Sequence, residues 1–189
     1  MVLTDSTMMP LGTPAPDFCL PDTVSGENRC FADVAGDKGT LVMFICNHCP
    51  YVVHIADGLA TVAAEYMPKG IGFVAISAND VGERPEDGPP YMRTFAREHR
   101  FAFPYLYDES QAVAKSYDAV CTPDFFLFNA AGNTGRCVYR GQFDGARPGS
   151  ATPVTGRDMR AALDGLLVGA DIPEQQQVPS QGCSIKWKN

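Results

Sequence analysis

Residues 41–60 read LVMFICNHCPYVVHIADGLA, and their order decides what the chain can be. The run from Thr40 to Ile45 is continuously apolar with β-branched members. That is the pattern of a strand buried on both faces, as in a parallel sheet. From Pro50 the pattern changes. Val52, Ile55, Leu59, Val62, Ala63 and Tyr66 recur at spacings of three and four, one apolar stripe along a helix. Between the two lie Cys46, Asn47, His48 and Cys49. Cys46 therefore sits where a strand ends, and Cys49 sits in the first turn of the helix. Residues three apart on one turn bring two sulfurs within bonding reach of each other. A helix start offers free N–H groups and a positive dipole end, which favour the thiolate over the thiol. Pro50 suits a first turn, where its missing N–H costs nothing.

The rest of the chain extends this frame. PAPDFCLPD, residues 14–22, is an extended lead-in, and a turn through SGEN leads to a short second strand near Cys30 and Phe31. GFVAISAN, residues 72–79, is a second buried strand, followed by a polar, proline-rich stretch over 80–90 that reads as a solvated loop. Tyr91, Phe95 and His99 mark one side of a short helix, and FPYLYD, residues 103–108, is a third strand. Ser110 is placed to cap a short helix. FFLFN at 125–129 and CVYRGQ at 137–142 flank AAGNTG, which suits a hairpin turn. Thr155 with Asp158 three residues on resembles a capping box for a last helix striped by Met159, Leu163, Leu166 and Leu167. Residues 170–189 read as a polar C-terminal tail. Alternating strands and helices imply an α/β layout, a largely parallel sheet made mixed by its closing hairpin.

Composition narrows the partners. The chain has 189 residues and a net charge of −7, enough for one domain with a full core. An acidic surface repels phosphate backbones, so nucleic acid is not an expected partner. The first residues show neither a basic nor an apolar signal region, and no segment approaches the ~20 apolar residues that cross a bilayer. The expectation is a cytoplasmic protein with no membrane partner. Seven cysteines, at 19, 30, 46, 49, 121, 137 and 183, are too unevenly placed for a disulfide scaffold. Most read as free, buried thiols.

A second element points the same way as the cysteine pair. VCTPDFFLF, residues 120–128, places Thr122 and Pro123 directly before an apolar strand. Proline cannot complete a regular ladder, so it belongs at the strand's mouth. A cis bond there would leave backbone groups of Thr122 free to pair with an incoming peptide. Asp124 next to it reads as a solvent-facing carboxylate.

These residues resemble the thioredoxin-like superfamily, in its redoxin branch, which holds the AhpC/TSA peroxiredoxins and the TlpA-type thiol oxidoreductases. The resemblance covers roughly residues 12–168. It implies a single thioredoxin-like domain over 1–189: a central mixed β-sheet flanked by helices, with an N-terminal β-hairpin extension. It also implies that Cys46 is the attacking thiolate, Cys49 the resolving thiol and Pro123 a cis-proline. Asn47, Thr122 and Pro123 would then contact substrate, and His48 would tune the thiolate, as a histidine before the second cysteine does in DsbA and protein disulfide isomerase. The implied activity is thiol–disulfide exchange on a protein or small-molecule disulfide, with a thiol reductant. The redox-active Cys46–Cys49 disulfide would serve in place of any cofactor or metal. A thiol peroxidase and a metal-binding or redox-sensing module without turnover are the alternatives.

Two departures from the family pattern bear on mechanism. Thioredoxin has a buried aspartate on the strand before its motif, and residues 40–45 offer no acid. The proton acceptor must come from elsewhere. Peroxiredoxins carry Pro-x-x-x-Thr-x-x-Cys. Counting back from Cys46 those places hold Gly39 and Met43, and from Cys49 they hold Val42 and Cys46.

Overall fold

The computed structural model describes residues 3–131 and 135–188. The tip of the AAGNTG link, residues 132–134, lies outside the described residues. The chain begins with β1 (Leu3–Asp5), then a hairpin of β2 (Cys19–Pro21) and β3 (Asn28–Cys30), and a short α1 (Phe31–Val34). Next come β4 (Gly39–Phe44), α2 (Pro50–Tyr66), β5 (Ile71–Ser77), α3 (Pro89–Glu98), β6 (Tyr105–Tyr107) and α4 (Ala112–Ser116). The last part runs β7 (Cys121–Thr122), β8 (Asp124–Asn129), β9 (Cys137–Tyr139), α5 (Arg157–Val168) and β10 (Gln181–Ser184).

The main sheet has the order β6-β5-β4-β8-β9. β4, β5 and β6 are parallel, while β8 runs antiparallel to both β4 and β9, so the sheet is mixed as the sequence leads one to expect. Every residue of β4 is buried. Alternation sends Leu41, Met43 and Ile45 into one core with the α2 stripe, and Val42 and Phe44 into a second core on the opposite face. Each large side chain so buried contributes roughly 1.5–3 kcal/mol. All six stripe residues of α2 are buried. Its last turn closes at Gly70, whose φ of +91° lies in the left-handed region.

Four local readings differ from expectation. The buried stripe of α3 runs through Met92, Phe95 and Ala96, at spacings of three and one, and leaves Tyr91 on the exposed side. No capping box forms at Thr155. The amides of Thr155 and Gly156 both donate to Asp144 Oδ2 at 2.7 Å, and Gly156 holds the cap position with a φ of +65°. Cys19 and Cys30 face each other across β2 and β3 and are joined as a disulfide, where free thiols were expected. The tail is not merely a polar extension. β10 inserts between β1 and β7 to make a second, three-stranded sheet.

Candidate active site

Strand β4 delivers Cys46 at its end, and Cys49 becomes the N-cap of α2, one position ahead of the expected first turn. The amides of Val52 and Val53 both donate to the Cys49 carbonyl at 3.0 Å. Pro50 occupies the first helical position, as its geometry requires. The Thr122–Pro123 peptide bond is cis. Both sulfurs converge on Thr122: Cys46 Sγ lies 3.2 Å from its Oγ1, and Cys49 Sγ lies 3.1 Å from its carbonyl oxygen. Both cysteines are free and fully buried.

The two thiols are not equivalent. Burial pushes the Cys46 thiol well up, and the Cys49 sulfur and the Asp87 carboxylate beside it add to the shift. Cys49 moves the other way, down to about 5. The Cys46 thiol donates to it, which outweighs the cost of burial. The contact with the Cys183 sulfur and the amides of Cys183 and Val52 lower it further. The hydrogen bond from Cys46 thus moves the lower value of the pair onto Cys49, whereas the resemblance assigns the thiolate to Cys46.

The missing acid is Asp87, fully buried although ERPED reads as a solvated loop. A 3-10 turn over Pro85–Asp87 swings its carboxylate under the motif. Its Oδ1 accepts the amides of Asn47 at 2.8 Å and His48 at 3.2 Å. Its Oδ2 accepts Asn79 Nδ2 at 2.8 Å and lies 2.5 Å from His48 Nδ1. Burial alone would raise this carboxyl. The bonds from His48, Asn79 and the Asn47 amide prevail and hold it below the ordinary carboxylate value. The same His48 Nδ1 is 3.7 Å from Cys46 Sγ. His48 is therefore drawn chiefly to Asp87 and only secondarily to the sulfur.

Asn47 turns its side chain inward. Its Nδ2 donates to the Glu86 carbonyl at 2.9 Å, and Tyr105 OH donates to its Oδ1 at 3.1 Å. It shapes the turn and pins the Asp87 loop. Asp124 is fully buried, not solvent-facing, and its Oδ2 has no partner among the described residues. Burial pushes it up to about 8. Its neighbours Phe44 and Phe126 lie in the core on the sheet face away from α2, so it is not part of the cysteine site. Cys183, in the stretch read as a polar tail, has its Sγ 2.8 Å from Cys49 Sγ. Cys46, His48 and Asp87 offer ligand atoms within 4.8 Å of one another, a donor set of the type that holds a soft divalent ion.

Comparison with known families matches residues 11–135 to the AhpC/TSA family. The chain belongs to the AhpC/TSA family. A conserved, uncharacterised protein from Geobacillus kaustophilus is 52% identical, with a TM-score of 0.95 over 100% of this chain and 97% of that one. A hypothetical protein from Sinorhizobium meliloti 1021 is 46% identical, with a TM-score of 0.93 over 98% of each chain. A secreted Mycobacterium tuberculosis disulfide oxidoreductase homologous to Escherichia coli DsbE shares the fold at 19% identity. Its TM-score is 0.57, over 78% of this chain and 94% of that one. No curated protein matches. This AhpC/TSA chain therefore has the thioredoxin-like α/β fold of the redoxin branch, and its family is one of thiol-based oxidoreductases and peroxidases. No helix among the described residues is long and apolar enough to cross a membrane.

Proposed function

We propose that this AhpC/TSA protein is a thiol–disulfide oxidoreductase working through Cys46 and Cys49. The observation that carries this reading is the convergence of both sulfurs on Thr122 beside a cis-proline. A thiolate attacks and a protonated thiol waits, which is the division of labour that exchange requires. The Cys49 thiolate attacks one sulfur of a substrate disulfide. A mixed disulfide forms and the first substrate thiol leaves. Cys46 then gives up its proton toward the His48–Asp87 pair and attacks Cys49 Sγ. The Cys46–Cys49 disulfide forms and the second substrate thiol departs. Thr122 and Pro123 border the reacting sulfurs, Asn47 holds the turn between them from within, and an external thiol restores the reduced pair. No metal or cofactor takes part in these steps. Protein or small-molecule disulfides are the substrate class, and the cytoplasm is the expected site of action.

Insulin reduction with dithiothreitol tests the reading. Cys49→Ser should abolish the catalysed rate, with Cys46→Ser and Cys46→Ser/Cys49→Ser as companions. A Cys49→Ser protein as active as the parent would end it.

A further inference from the structure

The C-terminal strand lies on the edge where an incoming peptide was expected to pair. β10 is antiparallel to β7, with Cys183 directly opposite Thr122. On its other side Cys183 faces Leu3 of β1. The strand approaches this edge closely because residue 182 is glycine. A Cβ there would lie 1.9 Å from the Thr122 carbonyl oxygen and 3.0 Å from Pro123 Cδ. That close approach brings the Cys183 sulfur to 2.8 Å from Cys49 Sγ. The tail thus presents a thiol to Cys49 from the Thr122 side. Cys46 reaches the same sulfur from the motif side.

We propose that Cys183 is a third redox thiol of this site, a second resolving thiol for Cys49. The proposal rests on the exchange reading above. When Cys49 is joined to a substrate sulfur, Cys183 Sγ attacks Cys49 Sγ. The Cys49–Cys183 bond forms and the bond to the substrate sulfur breaks. The electron pair leaves with the substrate sulfur, which also receives the proton Cys183 gives up. The substrate disulfide is reduced by two electrons, and Cys49 with Cys183 is oxidised by two. No other reactant is needed. The product state fastens the tail strand across the Thr122 edge.

The resting charges suit this order of events. Burial raises the Cys183 thiol to about 12, and the neighbouring Cys49 sulfur adds to the shift, while Lys186 opposes it. Once Cys49 is bonded to substrate its negative charge is gone, and part of what keeps Cys183 protonated goes with it. A surface pocket lined by Leu3, Tyr51, Gly182 and Cys183 opens beside the tail thiol.

Oxidised glutathione and non-reducing peptide mapping of the full chain test this. In Cys46→Ser the expected product is a Cys49–Cys183 link with little glutathione retained. In Cys46→Ser/Cys183→Ser the reaction should stop at glutathione bound to Cys49. If Cys46→Ser also keeps its glutathione, with Cys183 still alkylatable, the tail thiol is no resolver and this proposal falls while exchange through Cys46 and Cys49 stands. If Cys49 takes up no glutathione in any variant, the exchange reading falls and this proposal with it.

Discussion

Asp87 Oδ2 lies 2.5 Å from His48 Nδ1, 39 residues away in sequence, and that nitrogen is also 3.7 Å from Cys46 Sγ. The buried acid therefore serves the first cysteine from a loop after β5, where thioredoxin uses the strand before its motif. Burial keeps Cys46 protonated at rest, with the Cys49 sulfur and Asp87 adding to it, and the His48–Asp87 pair is the group placed to take the proton when Cys46 attacks.

Asp87→Asn should separate two steps of the reaction. Attack by Cys49 should proceed at close to its normal rate, because Cys49 is stabilised by other donors. Attack by Cys46 should slow by roughly 10²-fold, the lower range for loss of a positioned base. Stopped-flow measurement of mixed-disulfide formation and decay resolves the two. Equal slowing of both steps would remove Asp87 from this role.

Cys49 should react with iodoacetamide as a thiolate down to about pH 5. Its deprotonated form is the reactive one, so the alkylation rate should climb as pH rises through about 5 and then level off. Cys46 should contribute no step in that range, since its thiol is raised. Peptide-resolved alkylation against pH, with Cys183→Ser as a control for the tail thiol, checks the assignment. A plateau reached only above pH 8 would contradict it.

Asp124 binds its proton more tightly folded than unfolded, with a folded value of about 8 against an ordinary carboxyl. Its contribution to stability is intact below about pH 4. It is lost as pH rises toward 8, because the unfolded chain sheds the proton first. The accumulated loss at pH 7 is roughly 3–5 kcal/mol. Denaturant unfolding between pH 5 and 8 should slope downward in the parent and run flatter in Asp124→Asn. Parallel slopes would show that this carboxyl does not titrate as described.

Gly182→Ala should push β10 away from Thr122, since the added Cβ meets a carbonyl oxygen at 1.9 Å. Backbone amides of 181–184 should exchange with deuterium at least tenfold faster, consistent with loss of roughly 1.4 kcal/mol of local protection. Thermal unfolding of the main sheet should move little, because among the described residues β10 pairs with β1 and β7 and not with the main sheet. Unchanged exchange would mean that the strand tolerates the methyl group.

The cysteine motif and its supports were legible because each rests on local pattern. An apolar run predicts β4, a 3.6-residue stripe predicts α2, and a proline before FFLF predicts the break between β7 and β8. Asp87 was not legible from its neighbours. ERPED has the composition of a solvated loop, and only topology reveals otherwise. β4 and β5 are adjacent and parallel, so the loops leaving their C-terminal ends lie side by side. A polar stretch following β5 was thus the place to seek the absent acid. The tail failed for a different reason. QGCS is four residues with no alternating pattern, and its strand exists through pairing with β1 and β7. Asp124 was misjudged because a carboxylate beside a proline defaults to solvent, while its register opposite Phe44 puts it in the interior.

The insertion of Gln181–Ser184 between Leu3–Asp5 and Cys121–Thr122 has a mechanical consequence. Tension on the N-terminal end is transmitted through β1 to the small sheet whose Cys183 sulfur lies 2.8 Å from Cys49 Sγ, while beyond β10 the amides of Ile185, Lys186 and Lys188 tie the other end to Val120, Asn79 and Gln111. A bulky fusion or surface tether at the N-terminus would act as a lever on the reactive centre. Activities measured on tagged and untagged protein would then differ even though every atom of the motif is unchanged.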